Sequence, residues 1–202
     1  GSMLIFDEVK TGFRMGLGGA AEYFGIVPDI GTYAKSMGNG YPIAAVGGRR
    51  EVMSAWAEGG VMQAGTYSGN TIGAAATVAT IAELSTGAPY AQIDDVGNAL
   101  MTGIAKICGD RSEPASIIGI PSMFSVFFGD GELKEYRDTA NHDEDLYTEV
   151  IGGMIERGVM PVDDAKEPWF ISSSHTEEDV AETLTAFEEA LAQGACGVEF
   201  DV

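Results

Sequence analysis

Three charged side chains near the start of the chain stand where they could take part in chemistry. Residues 4–9 form an apolar run that ends in charge, which predicts a buried strand with Asp7 and Glu8 at its carboxyl end. Lys35 ends the next predicted strand and opens a glycine-rich loop. Open α/β sheets bind their ligands at the carboxyl ends of strands, so these residues are candidates for a site. A lysine in this place is either a solvated cation or a catalytic amine, and its type alone leaves both open.

The two carboxylates are adjacent in sequence, but they are not expected to act as a pair. Side chains alternate between the two faces of a strand, so Asp7 and Glu8 point to opposite sides and cannot share a proton. Val9 lies two positions after Asp7 and is expected on the same face as Asp7. Glu8 is therefore predicted to be a structural carboxylate that supports the site from the other side.

The elements of the first half of the chain must bring Asp7 and Lys35 together. Two further short strands are predicted at "PDIGTYAK" and "PIAAVGG", and the glycine-rich "SMGNGY" joins them. Helices are predicted over 49–58, from Thr71 onward, and over about 91–108 after an interruption at Pro89. This order of strands and helices predicts an α/β fold.

The second half of the chain has a different character, and a domain boundary is predicted near residues 109–115. The segment "ASIIGIPSMFSVFFGD" predicts either one bent strand or two, and "VMPV" and "WFISSS" predict short strands. A capping box at Thr176 and Asp179 is expected to open the last helix, His175 is expected beside that cap, and His142 is expected at the surface. Two amphipathic helices are predicted from apolar stripes at Leu146, Val150, Ile151, Met154 and Ile155, and at Val180, Leu184, Phe187 and Leu191.

The composition excludes several classes of function. With 31 acidic and 11 basic residues the formal charge is −20, which repels nucleic-acid phosphates and anionic lipid surfaces, so neither partner is expected. The apolar stretch "IIGIPSMFSVFF" is too short to span a membrane. Cys108 and Cys196 have no CxxC or metal-site spacing, which predicts no bound metal. Two free thiols in a reducing compartment such as the cytoplasm are favoured, and a disulfide between them is the alternative.

Three ordered segments of the sequence together carry a family resemblance. The segments are "DEVKTGFR", "PDIGTYAKSMGNGYPIAAVGG" and "GTYSGN", and they closely resemble the class III aminotransferases, which are pyridoxal-phosphate enzymes of fold type I. Asp7, Lys35 and Thr66 follow one another at close to the spacing of that family. Within the family, "GFRMGLGGAAEYFG" looks most similar to the glutamate-1-semialdehyde 2,1-aminomutase branch.

The resemblance implies roles for three residues of the predicted strand ends. Lys35 would form a Schiff base with pyridoxal 5'-phosphate and later carry a proton between substrate and cofactor, which alternates with its pyridoxamine 5'-phosphate form. Asp7 would keep the pyridine nitrogen protonated, because an opposite charge raises the pKa of that nitrogen. Val9 would pack against the pyridine ring.

The resemblance also implies contacts beyond this pair of strands. Gly65 and Thr66 match the family positions that bind the cofactor phosphate of a neighbouring subunit, so a homodimer is expected. Glu167 resembles a glutamate near the entrance of the aminomutase active site. The implied substrate is a small amino acid or keto acid, or an amino aldehyde.

The resemblance implies the C-terminal part of a fold type I large domain with a mostly parallel sheet, followed by a small α+β domain. Residues 1–3 are interpreted as a tag remnant, 4–110 as a partial cofactor-binding domain with a linking helix, and 111–202 as the small C-terminal domain. Two hypotheses follow. The chain is part of an aminotransferase or aminomutase, or it is a truncated, non-catalytic α/β fragment that dimerises and keeps the lysine as a relic.

Overall fold

The computed structural model describes residues 1–194. The chain divides into two compact units, Gly1–Tyr90 and Ala91 onward, and helix α4 (Ala88–Asp110) crosses the division. Pro89 stands in the first turn of α4, where its missing N–H costs no helical hydrogen bond. The domain boundary predicted near residues 109–115 remains a prediction, and α4 ends at Asp110.

The first unit is built on a three-stranded sheet that confirms the predicted strands. Its order is β1 (Ile5–Glu8), β2 (Ile30–Tyr33) and β3 (Ala45–Gly48), with β1 and β2 parallel and β2 and β3 antiparallel. A mostly parallel sheet was expected, but the segment 34–44 is too short for the crossover of about a dozen residues that a parallel β3 would need. The helices of this unit are α1 (Gly19–Phe24), α2 (Arg50–Ala57) and α3 (Thr71–Leu84).

The second unit combines an antiparallel sheet with most of α4 and two further helices. The segment that predicted one bent strand or two forms two, β4 (Ala115–Ile120) and β5 (Met123–Phe128), and β6 (Trp169–Phe170) pairs with β5. Helices α5 (Glu144–Glu156) and α6 (Glu177–Gly194) complete the unit. The fully buried side chains of its core include Ile104, Phe124, Val126, Val150, Met154 and Leu191.

Two sequence predictions for the second unit were wrong. "VMPV" is not a strand: Pro161 has no N–H for a ladder, and the carbonyl of Val162 accepts the Tyr147 hydroxyl at 2.9 Å instead. On α5 the buried stripe includes Tyr147, while Ile155 is 48% exposed.

The capping box that opens α6 is confirmed. The Asp179 carboxylate accepts the Thr176 backbone N–H at 2.7 Å, and the Asp179 N–H donates to the Thr176 hydroxyl at 3.2 Å. The Thr176 hydroxyl also donates to the Asp179 carboxylate at 2.8 Å, and this bond, followed by the bond from the Thr176 backbone N–H, holds the pKa of Asp179 below its usual range. His175 lies beside this cap, as expected, and its Nδ1 accepts the Ser172 N–H at 3.0 Å.

Three observations concern membrane spans, metal sites and the cysteines. Among residues 1–194, no helix is both long and apolar enough to cross a membrane. No cluster of histidine, cysteine and acidic side chains in the same range could hold a metal ion. Cys108 is a free, buried thiol, and Cys196 lies outside the described residues.

Candidate functional site

The parallel pairing of β1 and β2 brings two of the candidate residues to one edge of the sheet. Asp7 pairs with Thr32 and Glu8 pairs with Tyr33, so both strands leave the sheet at their carboxyl ends on the same side. Lys35 follows Tyr33 by two residues and is therefore at this edge too. This is the place where α/β sheets bind ligands, as the sequence predicted.

The Asp7 carboxylate is exposed, and its two oxygens differ. Oδ1 accepts the Val9 backbone N–H at 3.0 Å and the Thr32 hydroxyl at 3.4 Å. Oδ2 accepts no hydrogen bond from any residue in the range 1–194. One oxygen of Asp7 is thus held by the protein, while the other can accept a hydrogen bond from a bound molecule.

Val9 is not part of the strand, contrary to the prediction that β1 continues to residue 9. The strand ends at Glu8, because the Val9 N–H bonds to the Asp7 side chain and the Gly12 N–H returns to the Glu8 carbonyl at 2.8 Å. The prediction that Val9 shares a strand face with Asp7 was therefore wrong, because Val9 lies outside the strand. Val9 nevertheless stays next to Asp7 through this turn.

Lys35 has an unusual backbone conformation. It begins a 3₁₀ turn, Lys35–Met37, with φ of +45°, in the left-handed region that residues other than glycine seldom adopt. The turn is closed by bonds from Met37 N–H to the Ala34 carbonyl and from Gly38 N–H to the Lys35 carbonyl, each 3.0 Å. Such backbone outliers concentrate at functional sites, and the Lys35 side chain is exposed at the sheet edge.

Glu8 is a wholly buried structural carboxylate, which confirms its predicted role. Its Oε2 accepts the Ala20 N–H at 2.9 Å and the Thr11 hydroxyl, and its Oε1 accepts the Ala21 N–H at 2.8 Å. Glu8 thus ties the end of β1 to the first turn of α1. Gly19, with φ of +61°, is required here, because a Cβ would lie 2.5 Å from Glu8 Oε2.

The rest of the loop between β1 and α1 is also anchored. The Tyr90 hydroxyl donates to the Phe13 carbonyl at 3.0 Å, and the Phe13 ring meets the Tyr33 ring edge-on. Burial lowers the pKa of Arg14 and raises the pKa of Tyr90. The loop after Asp7 is therefore fixed at several points.

Gly65 and Thr66 lie in an exposed turn directly before α3. The turn is closed by the Ser68 N–H bonding to the Gly65 carbonyl at 3.0 Å, and the Asn70 side chain caps α3 by accepting the Ile72 N–H at 2.9 Å. Within residues 1–194, no hydrogen bond joins Thr66 to Asp7 or Lys35. Asp7 and Lys35 therefore lie at one sheet edge, and Thr66 is not hydrogen-bonded to either of them among the described residues.

The second unit holds Glu167 and the histidines. Glu167 is half-buried in the loop before β6, and its backbone N–H donates to the Asp164 carbonyl at 3.0 Å. His142 was expected at the surface, but this expectation was wrong. Its Nδ1 contacts the Phe128 N–H at 2.9 Å, its ring packs edge-on against Phe127, and its Nε2 is buried without a partner among the described residues.

A cavity in the second unit contains none of the predicted site residues. Its volume is about 560 Å³, and its mainly apolar lining includes Trp169, Phe170, His175 and Asp179. This cavity is therefore not lined by the residues that the sequence motifs identify. The sheet edge, with its amine and free carboxylate oxygen, is the better candidate.

Sequence reasoning missed Thr32 and Thr11, which contact the two carboxylates directly. The pairing register would have revealed Thr32, because it stands opposite Asp7 on the parallel neighbour. Thr11 gives no comparable signal, since its contact with Glu8 depends on the turn between Glu8 and Gly12.

Comparisons with known proteins identify the family of the chain. Residues 1–191 match the family model described as "Aminotransferase class-III". Glutamate-1-semialdehyde 2,1-aminomutase of Desulfatibacillum aliphaticivorans is 40% identical over 96% of this chain and 46% of its own length. The corresponding protein of Methanopyrus kandleri is 41% identical over 94% of this chain and 44% of its own length. The chain thus spans about half the length of the curated relatives it matches.

Solved structures show the same fold. An omega-transaminase from Sphaerobacter thermophilus superposes with a TM-score of 0.87 at 24% identity, over 96% of this chain and 44% of the other. A transaminase with PLP bound gives 0.82 at 26% identity, over 96% and 45%. A glutamate-1-semialdehyde aminomutase from Pseudomonas aeruginosa PAO1 in complex with PMP gives 0.83 at 20% identity, over 95% and 44%.

Proposed function

The chain belongs to the class III aminotransferase family, and we propose that it forms part of a pyridoxal-phosphate site that transfers amino groups. Lys35 is the proposed residue that bonds the cofactor aldehyde, and Asp7 is the proposed partner of the pyridine nitrogen. The proposed activity is that of an aminotransferase or a glutamate-1-semialdehyde aminomutase-like enzyme. The curated relatives that are about 40% identical favour the aminomutase branch.

One observation carries this proposal. Asp7 and Lys35 lie at the carboxyl ends of adjacent parallel strands, at the same edge of the sheet. The Lys35 side chain is exposed, and Asp7 Oδ2 accepts no hydrogen bond from residues 1–194. This donor set fits the cofactor, because it offers an amine for an aldehyde and a carboxylate oxygen for a ring N–H. The left-handed backbone at Lys35 turns the chain sharply where the amine is needed.

When bound, pyridoxal phosphate withdraws electrons from the substrate carbon that exchanges its amino group. Lys35 would hold the cofactor, and its amine would carry the proton that leaves and returns at the substrate carbon. The Asp7 carboxylate would accept the hydrogen bond of the ring nitrogen and would keep that nitrogen protonated by charge attraction. Val9 is placed beside Asp7 by their hydrogen bond and is the proposed apolar contact for the ring.

The proposed assembly is a homodimer in which Gly65 and Thr66 reach the phosphate bound by a neighbouring subunit. In support of this, Thr66 is exposed and has no bond to Asp7 or Lys35 of its own chain among the described residues. The first unit also exposes large apolar side chains that a partner would cover. These include Phe24 (61%), Val27 (90%), Met62 (88%) and Tyr67 (64%).

Glu167 is the proposed substrate-proximal residue, on the ground of its resemblance to a glutamate of the aminomutase branch. The proposed substrates are small amino and keto acids or an amino aldehyde, which agrees with the names of the curated relatives. The free Cys108 thiol suits a reducing compartment, and a cytoplasmic location is proposed on that ground.

The test is covalent trapping at Lys35. The purified chain is mixed with pyridoxal phosphate, reduced with borohydride and digested, and mass spectrometry locates the added cofactor. We expect the adduct on Lys35, its loss in Lys35→Ala, and its retention in Lys106→Ala, which removes an exposed lysine on α4. Equal labelling of several lysines, or no adduct, contradicts catalytic use of Lys35 and favours the relic hypothesis.

A further inference from the structure

We propose that Thr32 is a positioning residue that orients Asp7, so that Oδ2 and not Oδ1 meets the cofactor ring nitrogen. This inference rests on the proposed function, and it assigns to Thr32 a task that the motif residues do not perform. Thr32 does not touch the cofactor in this proposal. It acts only through the Asp7 carboxylate.

The sheet register places Thr32 where it can do this. Asp7 of β1 pairs with Thr32 of β2, and Thr32 pairs with Val46 of β3. Paired residues of neighbouring strands project from the same face of a sheet, so these three side chains form a row across the strands. Thr32 is the middle member of that row, and its hydroxyl reaches Asp7 Oδ1 at 3.4 Å.

Both donors that hold Asp7 act on one oxygen. The Val9 N–H is 3.0 Å from Oδ1 and the Thr32 hydroxyl is 3.4 Å from it, whereas Oδ2 has no donor in the range 1–194. The terminal torsion of an aspartate is soft, so a carboxylate without such contacts rotates. Two donors on one oxygen restrict that rotation and leave the second oxygen for another partner.

The two donors differ in what else they do. The Val9 N–H belongs to the turn that ends β1, so it is part of the local backbone structure. The Thr32 hydroxyl makes no other hydrogen bond within the described residues, and a valine would suit the middle of a strand equally well. Contact with Asp7 is therefore the one polar interaction that the structure gives this hydroxyl.

The energetic consequence is preorganisation of the cofactor site. If the carboxylate is already oriented before binding, less conformational freedom is lost when the ring nitrogen approaches. At 3.4 Å the hydroxyl contact is longer than a typical O–H···O bond, so it restrains the Asp7 carboxylate less than the Val9 N–H does. Removing it should weaken cofactor binding roughly three- to tenfold, since bonds to charged groups are the stronger ones.

The test compares Thr32→Val with Thr32→Ser. Valine keeps the branched shape and removes the hydroxyl, and serine keeps the hydroxyl. Pyridoxal phosphate affinity is measured by titration, beside thermal unfolding of the cofactor-free proteins. We expect weaker binding in Thr32→Val and near-normal binding in Thr32→Ser. The control is Thr185→Val, which makes the same chemical change at an exposed position of α6, and we expect it to leave binding unchanged.

A cofactor analogue distinguishes loss of the Asp7 orientation from general damage to the site. A pyridoxal phosphate analogue with carbon in place of the ring nitrogen cannot donate to Asp7. We expect Thr32→Val to bind this analogue as wild type does, and we expect no further loss when Thr32→Val is added to Asp7→Asn. Equal weakening with both cofactors, or an additive loss in the double variant, overturns the proposal.

The outcomes for the two proposals are distinct. If wild type forms no borohydride-fixed adduct at Lys35, the proposed function fails, and the role of Thr32 fails with it. If wild type forms the adduct but Thr32→Val binds the cofactor like wild type, the proposed function stands and the role of Thr32 is overturned.

Discussion

Asp7 and Glu8 show how adjacent residues of the same chemical kind do different work. Asp7 is exposed at the sheet edge and keeps one oxygen free, whereas Glu8 is wholly buried and accepts three hydrogen bonds from Thr11, Ala20 and Ala21. Strand alternation makes this division inevitable once one face is covered. A function is proposed for the first carboxylate and a structural task is evident for the second.

This division predicts opposite results from two substitutions. Asp7→Asn should leave the urea unfolding midpoint nearly unchanged while weakening pyridoxal phosphate binding, because only an exposed charge changes. Glu8→Ala should lower the free energy of unfolding by about 3 kcal/mol or more, because two backbone N–H groups lose a charged acceptor. Urea unfolding and cofactor titration of both variants check this, and loss of stability in Asp7→Asn with none in Glu8→Ala would refute it.

The Cys108 thiol gives a prediction about pH. Burial, with a smaller effect of Glu113, raises the pKa of Cys108 to about 11. The neutral thiol is therefore favoured in the folded state, so its stabilising contribution is complete below the unfolded pKa of about 8.5 and is lost as the pH rises toward that value of 11. In a Cys196→Ser background, iodoacetamide should label Cys108 slowly at mildly alkaline pH and rapidly in urea.

The control is the slope of stability against pH. Cys108→Ala should lose less free energy of unfolding than its parent between about pH 9 and 11. Rapid labelling of folded Cys108 at neutral pH would show that the thiol is not buried.

At the scale of elements, side chains end and join the helices and strands of this protein. The Asp7 side chain captures the Val9 N–H where β1 ends, and the Asn70 side chain caps α3. In the second unit the Tyr147 hydroxyl connects α5 to its neighbours. It donates to the Val162 carbonyl at 2.9 Å and accepts the Trp169 indole N–H at 3.1 Å.

Tyr147→Phe tests this connection. The change leaves the Val162 carbonyl and the buried Trp169 N–H without their partner, so we expect a loss of about 1–3 kcal/mol in the free energy of unfolding. Tyr136→Phe is the matched control, because Tyr136 is 76% exposed, and it should change stability little. Urea unfolding measures both, and equal stabilities of the two variants would argue against the bridging role of Tyr147.

At the scale of the whole molecule, the dominant property is its charge. The formal net charge of −20 means that most pairs of charged groups repel one another, and such self-repulsion lowers the stability of a compact state. The ion pairs among residues 1–194 lie mostly at the surface, as in Arg49 with Asp29 and Lys106 with Asp110. Exposed pairs of this kind stabilise a protein only slightly.

Salt should therefore stabilise this protein. Raising sodium chloride from about 10 mM to about 300 mM shortens the screening length from about 30 Å to below 8 Å, so repulsion weakens more than the few close pairs do. We expect the melting temperature to rise by several degrees, and potassium chloride to have the same effect. An uncharged solute at equal concentration should not reproduce the rise, and a melting temperature that falls with salt would contradict the argument.

Patterns of local sequence were enough for much of the fold and of the site. Short apolar runs bounded by glycine and proline correctly predicted β1, β2 and β3, and helix α3 starts at the predicted Thr71. The position of Lys35 after β2 was predictable for the same reason. Strand β3 was predicted, but its antiparallel direction was not, because direction depends on how segment 34–44 turns back.

The sequence by itself determined which groups are available: an amine at Lys35 and adjacent, opposed carboxylates at Asp7 and Glu8, because strand periodicity is a local property. Only the tertiary structure decided which residues meet these groups. Thr32 reaches Asp7 through strand register, Ala20 and Ala21 reach Glu8 through a loop closure, and Tyr147 replaces Ile155 in the core of the second unit. Such contacts join positions far apart in the chain, so their geometry follows from packing and not from any short stretch of residues.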